Sequence, residues 1–180
     1  MNLRLQLNGF GAKSLSMKLA LSNPTGSVFE WSSDMRDAGV EASRQSPRGR
    51  MLIPLHRHQD DLVQRMVNIL QPGTYIQPHQ HPRDWATETI LVMEGELGFV
   101  IFDEKGEVTS IHRLPVGGMI DIEERVWHGV LALSPDTVIL EIKRGPYDDT
   151  DKVFADWAPA EGEAAAPDYR AALEARFIDR

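Results

Sequence analysis

Between residues 51 and 145 the chain alternates apolar and polar positions in short runs. "DLVQRMVNIL", "TYIQPHQH", "TETILVMEGELGFVIFD", "EVTSIHRL", "GMIDIE", "HGVLAL" and "DTVILEIK" are rich in β-branched and aromatic residues. Turn-forming "QPG", "HPRD", "EGE", "DEKG", "LPVGG" and "LSPD" separate them, the pattern of successive short strands. Strands at this spacing, with no helical run between them long enough for a βαβ unit, predict an all-β sandwich or barrel. In the first run Val63, Val67 and Ile69 favour a strand, with Arg65 on their face.

The pattern changes on either side of this block. Residues 32–50 hold a short helical period, with Met35, Ala38 and Ala42 on one face, Ser33 or Asp34 as cap and "SPRGR" as terminator. "GPYDDTDKVFADWAPAEGE" reads as a loop clasped by Phe154 and Trp157. "PDYRAALEARFIDR" predicts a last helix, capped by Asp168, whose stripe is Tyr169, Ala172, Leu173 and Phe177. The expected organisation is an N-terminal extension over residues 1–50, a barrel over 51–160 and a helix over 161–180. Alternation at Leu3, Leu5 and Leu7 reads as a short strand, and Met17 offers a second possible start.

A chain of 180 residues has enough interior to fold without staples. It has no cysteine, so disulfides, thiolate ligands and a thiol nucleophile are excluded. A net charge of −8 argues against nucleic-acid binding. No apolar run reaches the roughly 18–20 residues of a membrane span, and no secretory pattern opens the sequence. The reading is a soluble, cytoplasmic protein whose partner is a small molecule.

Two of the six histidines, His79 and His81, stand one residue apart on an expected strand. Side chains on a strand alternate, so both point to one face, about 6–7 Å apart along the backbone, and can converge on a single ion. The turn "PRD" then brings Glu88 back to the same spot on the neighbouring strand, over an apolar floor of Ile90 and Val92. Gly95 follows in the tight hairpin "EGE". The remaining ligand should come from a distant strand, and His128 opens one directly after a turn. His112 reads as a surface strand residue, and His56 and His58 in "LHRHQDD" as a solvated loop.

Gly73, His79, His81, Glu88 and Gly95 in this spacing resemble the first cupin motif, and Gly118 through His128 the second. "SPRGR", "DLVQRMVNILQPGTYIQPHQHP", "WHGVLAL" and "EIKRGPYDDTDKVFADWAPAEG" narrow the resemblance to the WbuC family of cupin-fold metalloproteins, over residues 43–162. Two departures stand out. Six residues separate His81 from Glu88 where the motif has three or four, and Glu123 and Arg125 replace a customary proline and glycine. Both fall in loops and bear on the site mouth. The resemblance implies a double-stranded β-helix, or jelly-roll, barrel holding one divalent metal ion inside. It also implies an association with bacterial surface-polysaccharide genes, with no established reaction.

Three imidazoles and a carboxylate leave about two coordination positions open, as in a catalytic metal site. They suit Fe²⁺, Mn²⁺, Zn²⁺ or Ni²⁺. By parity Tyr75 and Gln77 share the face of His79, as ligand contacts or as satisfied internal hydrogen bonds. Arg65 is a further pocket candidate. Glu141 and Lys143 share a face on the last barrel strand, as a rim ion pair or with Lys143 meeting a substrate anion. Tyr147 caps the mouth or closes the sandwich, and Trp127 packs. The expected function is a metal-dependent isomerase or oxygenase acting on a sugar or sugar-nucleotide, with Glu88, Glu141 or Tyr75 moving a proton. The alternative is a non-catalytic metal-dependent binding module. Cupins commonly pair through edge strands, which gives a homodimer as the expected assembly.

Overall fold

In a computed structural model of the chain, which describes residues 20–148 and 150–178, ten strands and two helices follow one another. They are α1 (Ser33–Gln45), β1 (Arg50–Pro54), β2 (Val63–Leu70), β3 (His79–Gln80), β4 (Glu88–Glu94), β5 (Glu96–Phe102), β6 (Val108–Pro115), β7 (Met119–Ile122), β8 (Trp127–Ala132), β9 (Thr137–Arg144), β10 (Val153–Phe154) and α2 (Ala166–Ala175). The strand suggested at Leu3–Leu7 and the start at Met17 lie outside the described residues.

The strands form two five-stranded sheets, ordered β1-β2-β9-β4-β7 and β10-β3-β8-β5-β6. Every pairing between named strands is antiparallel. From β4 to β10 the chain passes repeatedly from one sheet to the other. This is a jelly-roll architecture of two facing antiparallel sheets.

The alternation seen in the sequence has a physical counterpart in the two sides of each strand. Leu70, Ile90, Val92, Leu97, Phe99, Val130 and Ile139 meet between the sheets as the inner core. Met51, Ile53, Val67, Ile69 and Val138 form a second core on the outer face of the first sheet, beneath α1. That helix starts one residue earlier than expected. Ser32 is the cap, its hydroxyl accepting from the Met35 amide. Its buried face is Gly39, Val40, Ala42 and Ser43, whereas Ala38 is exposed. Gly39 sits where a β-carbon would come within 2.9 Å of Ile69 and Ile53, so its lack of a side chain sets how closely the helix approaches.

The C-terminal helix packs Leu173 and Phe177 against Val100, Phe102 and Leu131. Its cap position is Ala165, with proline in the first turn; Asp168 lies inside the helix, and Ala172 faces solvent. The clasp between strands and loop is aromatic: Trp157 packs on Phe102 and Trp127, centroids 5.0 and 5.9 Å away. Among the described residues no helix is long and apolar enough to cross a membrane.

Candidate metal centre

Two of the three clustered histidines are a register pair. His79 of β3 and His128 of β8 stand opposite one another across the ladder, and their ring centroids lie 4.4 Å apart. His81 directly follows β3 and is carried back to the same spot, 5.4 Å from the His79 ring and 5.7 Å from that of His128. One nitrogen from each of the three lies within 4.8 Å of those from the others, and all three residues are buried.

Glu88 completes the group from the other sheet. The sequence placed it on a neighbouring strand, but β3 and β4 belong to different sheets. Its carboxylate reaches across the interior instead, 3.3 Å from His128 Nε2 and 3.6 Å from His81 Nε2. The segment between His81 and Glu88 spans the gap from one sheet to the other.

The hydrogen bonds fix which nitrogens face inward. His79, His81 and His128 direct Nδ1 to the carbonyls of Gln77, Asp151 and Val126, at 3.1, 2.7 and 2.9 Å. A neutral ring donating through Nδ1 presents a bare lone pair at Nε2. The buried Nε2 of His81 has no hydrogen-bond partner. Lone pairs gathered around a carboxylate repel unless a proton or a cation sits among them. The donor set therefore fits a divalent cation held by His79, His81, His128 and Glu88.

Electrostatics agree. Burial pushes His79 well below its ordinary pKa, helped by the Lys152 ammonium. Burial would raise Glu88, but the close approach of His128 and His81 outweighs it and holds the carboxyl well below its usual range. Glu141 goes the other way: burial, then the neighbouring Glu88 charge, raises it to about 7.

The cluster lies in a cavity of about 520 Å³. Ile90, Val130 and Ile139 wall it near the histidines, while Arg50, Glu141, Lys143 and Lys152 contribute charge. Glu141 comes from β9, opposite Ile90 and Met66, and accepts a hydrogen bond from Asn68 Nδ2 at 2.7 Å. Lys143 is buried and pairs with Asp151 at 3.4 Å, not with Glu141 at a rim. Burial disfavours its charge, yet Glu141, Glu88 and Asp151 together raise its pKa. Tyr147 stands half-exposed at the mouth.

Three pocket candidates lie elsewhere. Residues 74–78 are not strand, so parity from His79 fails there, and Ile76 reaches the cavity instead. Tyr75 donates its hydroxyl to the Pro159 carbonyl. Gln77 donates to the carbonyls of Ala155 and Ala158. Both residues tie down the segment after β10. Arg65 is exposed and shares the outer parity of β2, whereas Gln64, Met66, Asn68 and Leu70 face the cavity.

His56 departs from the solvated-loop expectation and is buried, because the loop after β1 folds back onto β2. Its Nδ1 lies 2.9 Å from the Arg65 carbonyl. His58 and His112 are exposed. Asn68, Asp151 and Lys152 went unassigned in the sequence. A polar Asn inside "MVNIL" and a lysine two residues before Phe154 were the available signals.

The two motif departures touch each other. The Trp85 amide donates to Glu124 at 3.0 Å, Arg125 pairs with Asp84, and the Arg125 amide donates to the His81 carbonyl at 2.9 Å. Arg125 has φ of 64°, a left-handed conformation that suits the customary glycine. Neither segment lines the cavity itself, but Arg83 of the first pairs with the cavity-lining Asp151 at 3.5 Å, so the departures brace the barrel next to the site.

A family model described as "Domain of unknown function (DUF6016)" matches residues 32–114. No curated protein matches. Among solved structures, oxalate decarboxylase from Bacillus subtilis at pH 4.6 is 20% identical, with a TM-score of 0.45 over 53% of this chain and 24% of that one. KdgF from Halomonas sp. is 22% identical, with a TM-score of 0.44 over 56% of this chain and 81% of that one. The formate complex of oxalate decarboxylase from Lactobacillus farciminis is 16% identical, with a TM-score of 0.43 over 52% and 26%. The match thus spans about a quarter of the length of the two decarboxylases.

Proposed function

We propose that the protein is a mononuclear metal-dependent cupin, in which His79, His81, His128 and Glu88 hold one divalent cation and the cavity beside them receives a small polar metabolite. The observation that carries this is the convergence of three buried imidazoles whose Nδ1 atoms are already engaged with backbone carbonyls. A cation bound there polarises a carbonyl or hydroxyl oxygen of the ligand.

The chain's own groups supply the remainder. Glu141, raised to about 7, is poised to take and return a proton near neutrality. Asn68 orients its Oε2. Ile90, Val130 and Ile139 keep water from the reacting face. An acid–base group beside an open coordination position supports isomerisation or epimerisation over simple binding, and the WbuC resemblance gives a sugar or sugar-nucleotide of surface-polysaccharide metabolism as the substrate. Oxygenation is the reading if the resident metal is iron. Pairing of two copies through edge strands is part of the same proposal.

The test is metal analysis of purified protein, then turnover of a nucleotide-sugar panel by wild type and Glu141→Gln. One equivalent of metal, with turnover lost in the variant and its metal retained, supports the proposal. Metal without turnover by any panel member favours a binding module. A correctly folded protein that takes up no metal refutes it.

A further inference from the structure

We infer that Lys152 is an anion anchor, so that the ligand of this cavity carries a carboxylate or phosphate; this rests on the metal-dependent reading above and names the ligand's class. Lys152 lies two residues before Phe154, whose register partner across β10 and β3 is His79. Lys152 directly precedes β10, and both it and Phe154 line the cavity. The Phe154 ring is 5.9 Å from that of His79, so the ammonium belongs to the chamber that holds the metal cluster.

What separates Lys152 from the other cavity cations is its lack of a counterion. Arg50 is engaged by Glu161 at 2.6 Å and by the Tyr75 carbonyl at 2.9 Å. Lys143 is paired with Asp151. Among the described residues Lys152 makes no ion pair and no hydrogen bond through its side chain. Burial lowers its pKa, and the fields of Glu141 and Glu88 only partly offset this. A partly buried ammonium without a partner is costly, and an incoming anion relieves that cost. Charge points the same way. With a divalent cation in place the chamber carries net positive charge even if every lining carboxylate is ionised, because Arg48, Arg50, Lys143 and Lys152 together with the cation outweigh Glu88, Glu141, Asp148, Asp151 and Glu161 by one charge. A neutral sugar would leave that charge uncompensated; a sugar acid or sugar phosphate would neutralise it.

Wild type, Lys152→Met and Lys152→Arg, each loaded with Co²⁺, are titrated by calorimetry with gluconate, inorganic phosphate and glucose. Cobalt absorption reports metal occupancy separately. Wild type is expected to bind gluconate, phosphate or both more tightly than glucose. Lys152→Met should weaken that anion binding tenfold or more, the loss due when a charge-assisted contact disappears, with cobalt uptake unchanged. Lys152→Arg should recover part of the loss. Which anion binds separates a carboxylate from a phosphate ligand.

On unmodified protein, acetylation of Lys152 followed by mass spectrometry should slow when the bound anion is added. This readout holds even if a variant fails to fold. Equal anion affinity in wild type and Lys152→Met, wild-type binding of neither anion, or labelling unaffected by both anions overturns the inference. Failure of wild type to bind cobalt would instead refute the metal reading.

Discussion

Replacing His128 by asparagine is the sharpest probe of the centre. His128 is 1% exposed and stacks on Phe99, with centroids 5.5 Å apart and planes at 9°. Its Nε2 faces Glu88 at 3.3 Å. Asparagine keeps a polar side chain there but cannot place a nitrogen in the cluster. A ligand bound to the native state at 100 times its Kd stabilises that state by about 2.7 kcal/mol. For a domain of 150–250 residues, which this chain of 180 residues is, each kcal/mol moves Tm by about 2–4 °C. Wild type should therefore gain roughly 5–11 °C when the saturating metal is added to stripped protein.

Losing a supporting residue around a metal costs up to about a hundredfold in affinity, and a direct ligand should cost at least as much. At the same metal concentration the metal would then be at or below the variant's Kd, stabilising it by about 0.4 kcal/mol or less, roughly 1–2 °C. The assay is differential scanning fluorimetry of chelator-stripped wild type, His128→Asn and the exposed control His112→Asn, with Zn²⁺, Mn²⁺, Ni²⁺ and, anaerobically, Fe²⁺. The control should follow wild type. A metal-induced shift of equal size in His128→Asn would refute the assignment.

Other consequences can be checked alongside. Glu88→Gln removes the one carboxylate of the cluster and should lower the metal-induced Tm shift while the fold, followed by circular dichroism, persists. Gly95, at φ of 75°, has Thr137 Cα 2.9 Å and Ser134 Oγ 2.7 Å from where a β-carbon would stand. Gly95→Ala should therefore cost about 2–4 kcal/mol in urea unfolding, left-handed strain and overpacking together. For Glu161, burial disfavours the charge, but Arg48 and Arg50 outweigh it and lower the carboxyl's pKa. Its stabilisation is thus present above the usual carboxylate range and lost as pH falls through its depressed folded pKa. The Tm gap between wild type and Glu161→Gln should be open at pH 7 and narrow towards pH 3; a gap that widens on acidification would contradict this.

Periodicity, turn residues and histidine spacing determined much of this protein before any coordinate. Strand alternation is a local property, so "TETILVMEGELGFVIFD" announces β4 and β5 with Gly95 at their turn, and the one-residue spacing of His79 and His81 announces two rings that the structure brings together. What parity could not supply is which strands meet across the interior. The register of His79 against His128, the crossing of Glu88 from the other sheet and the partnering of Glu141 with Asn68 all join segments far apart in sequence, and packing of the two sheets sets them. Parity also lapses where regular strand ends, which is why Tyr75 and Gln77 turned to the C-terminal segment and Ile76 took the wall. His56 and Lys152 show the same division. A short polar loop has no periodicity to read, and its burial is decided by the strand it folds against.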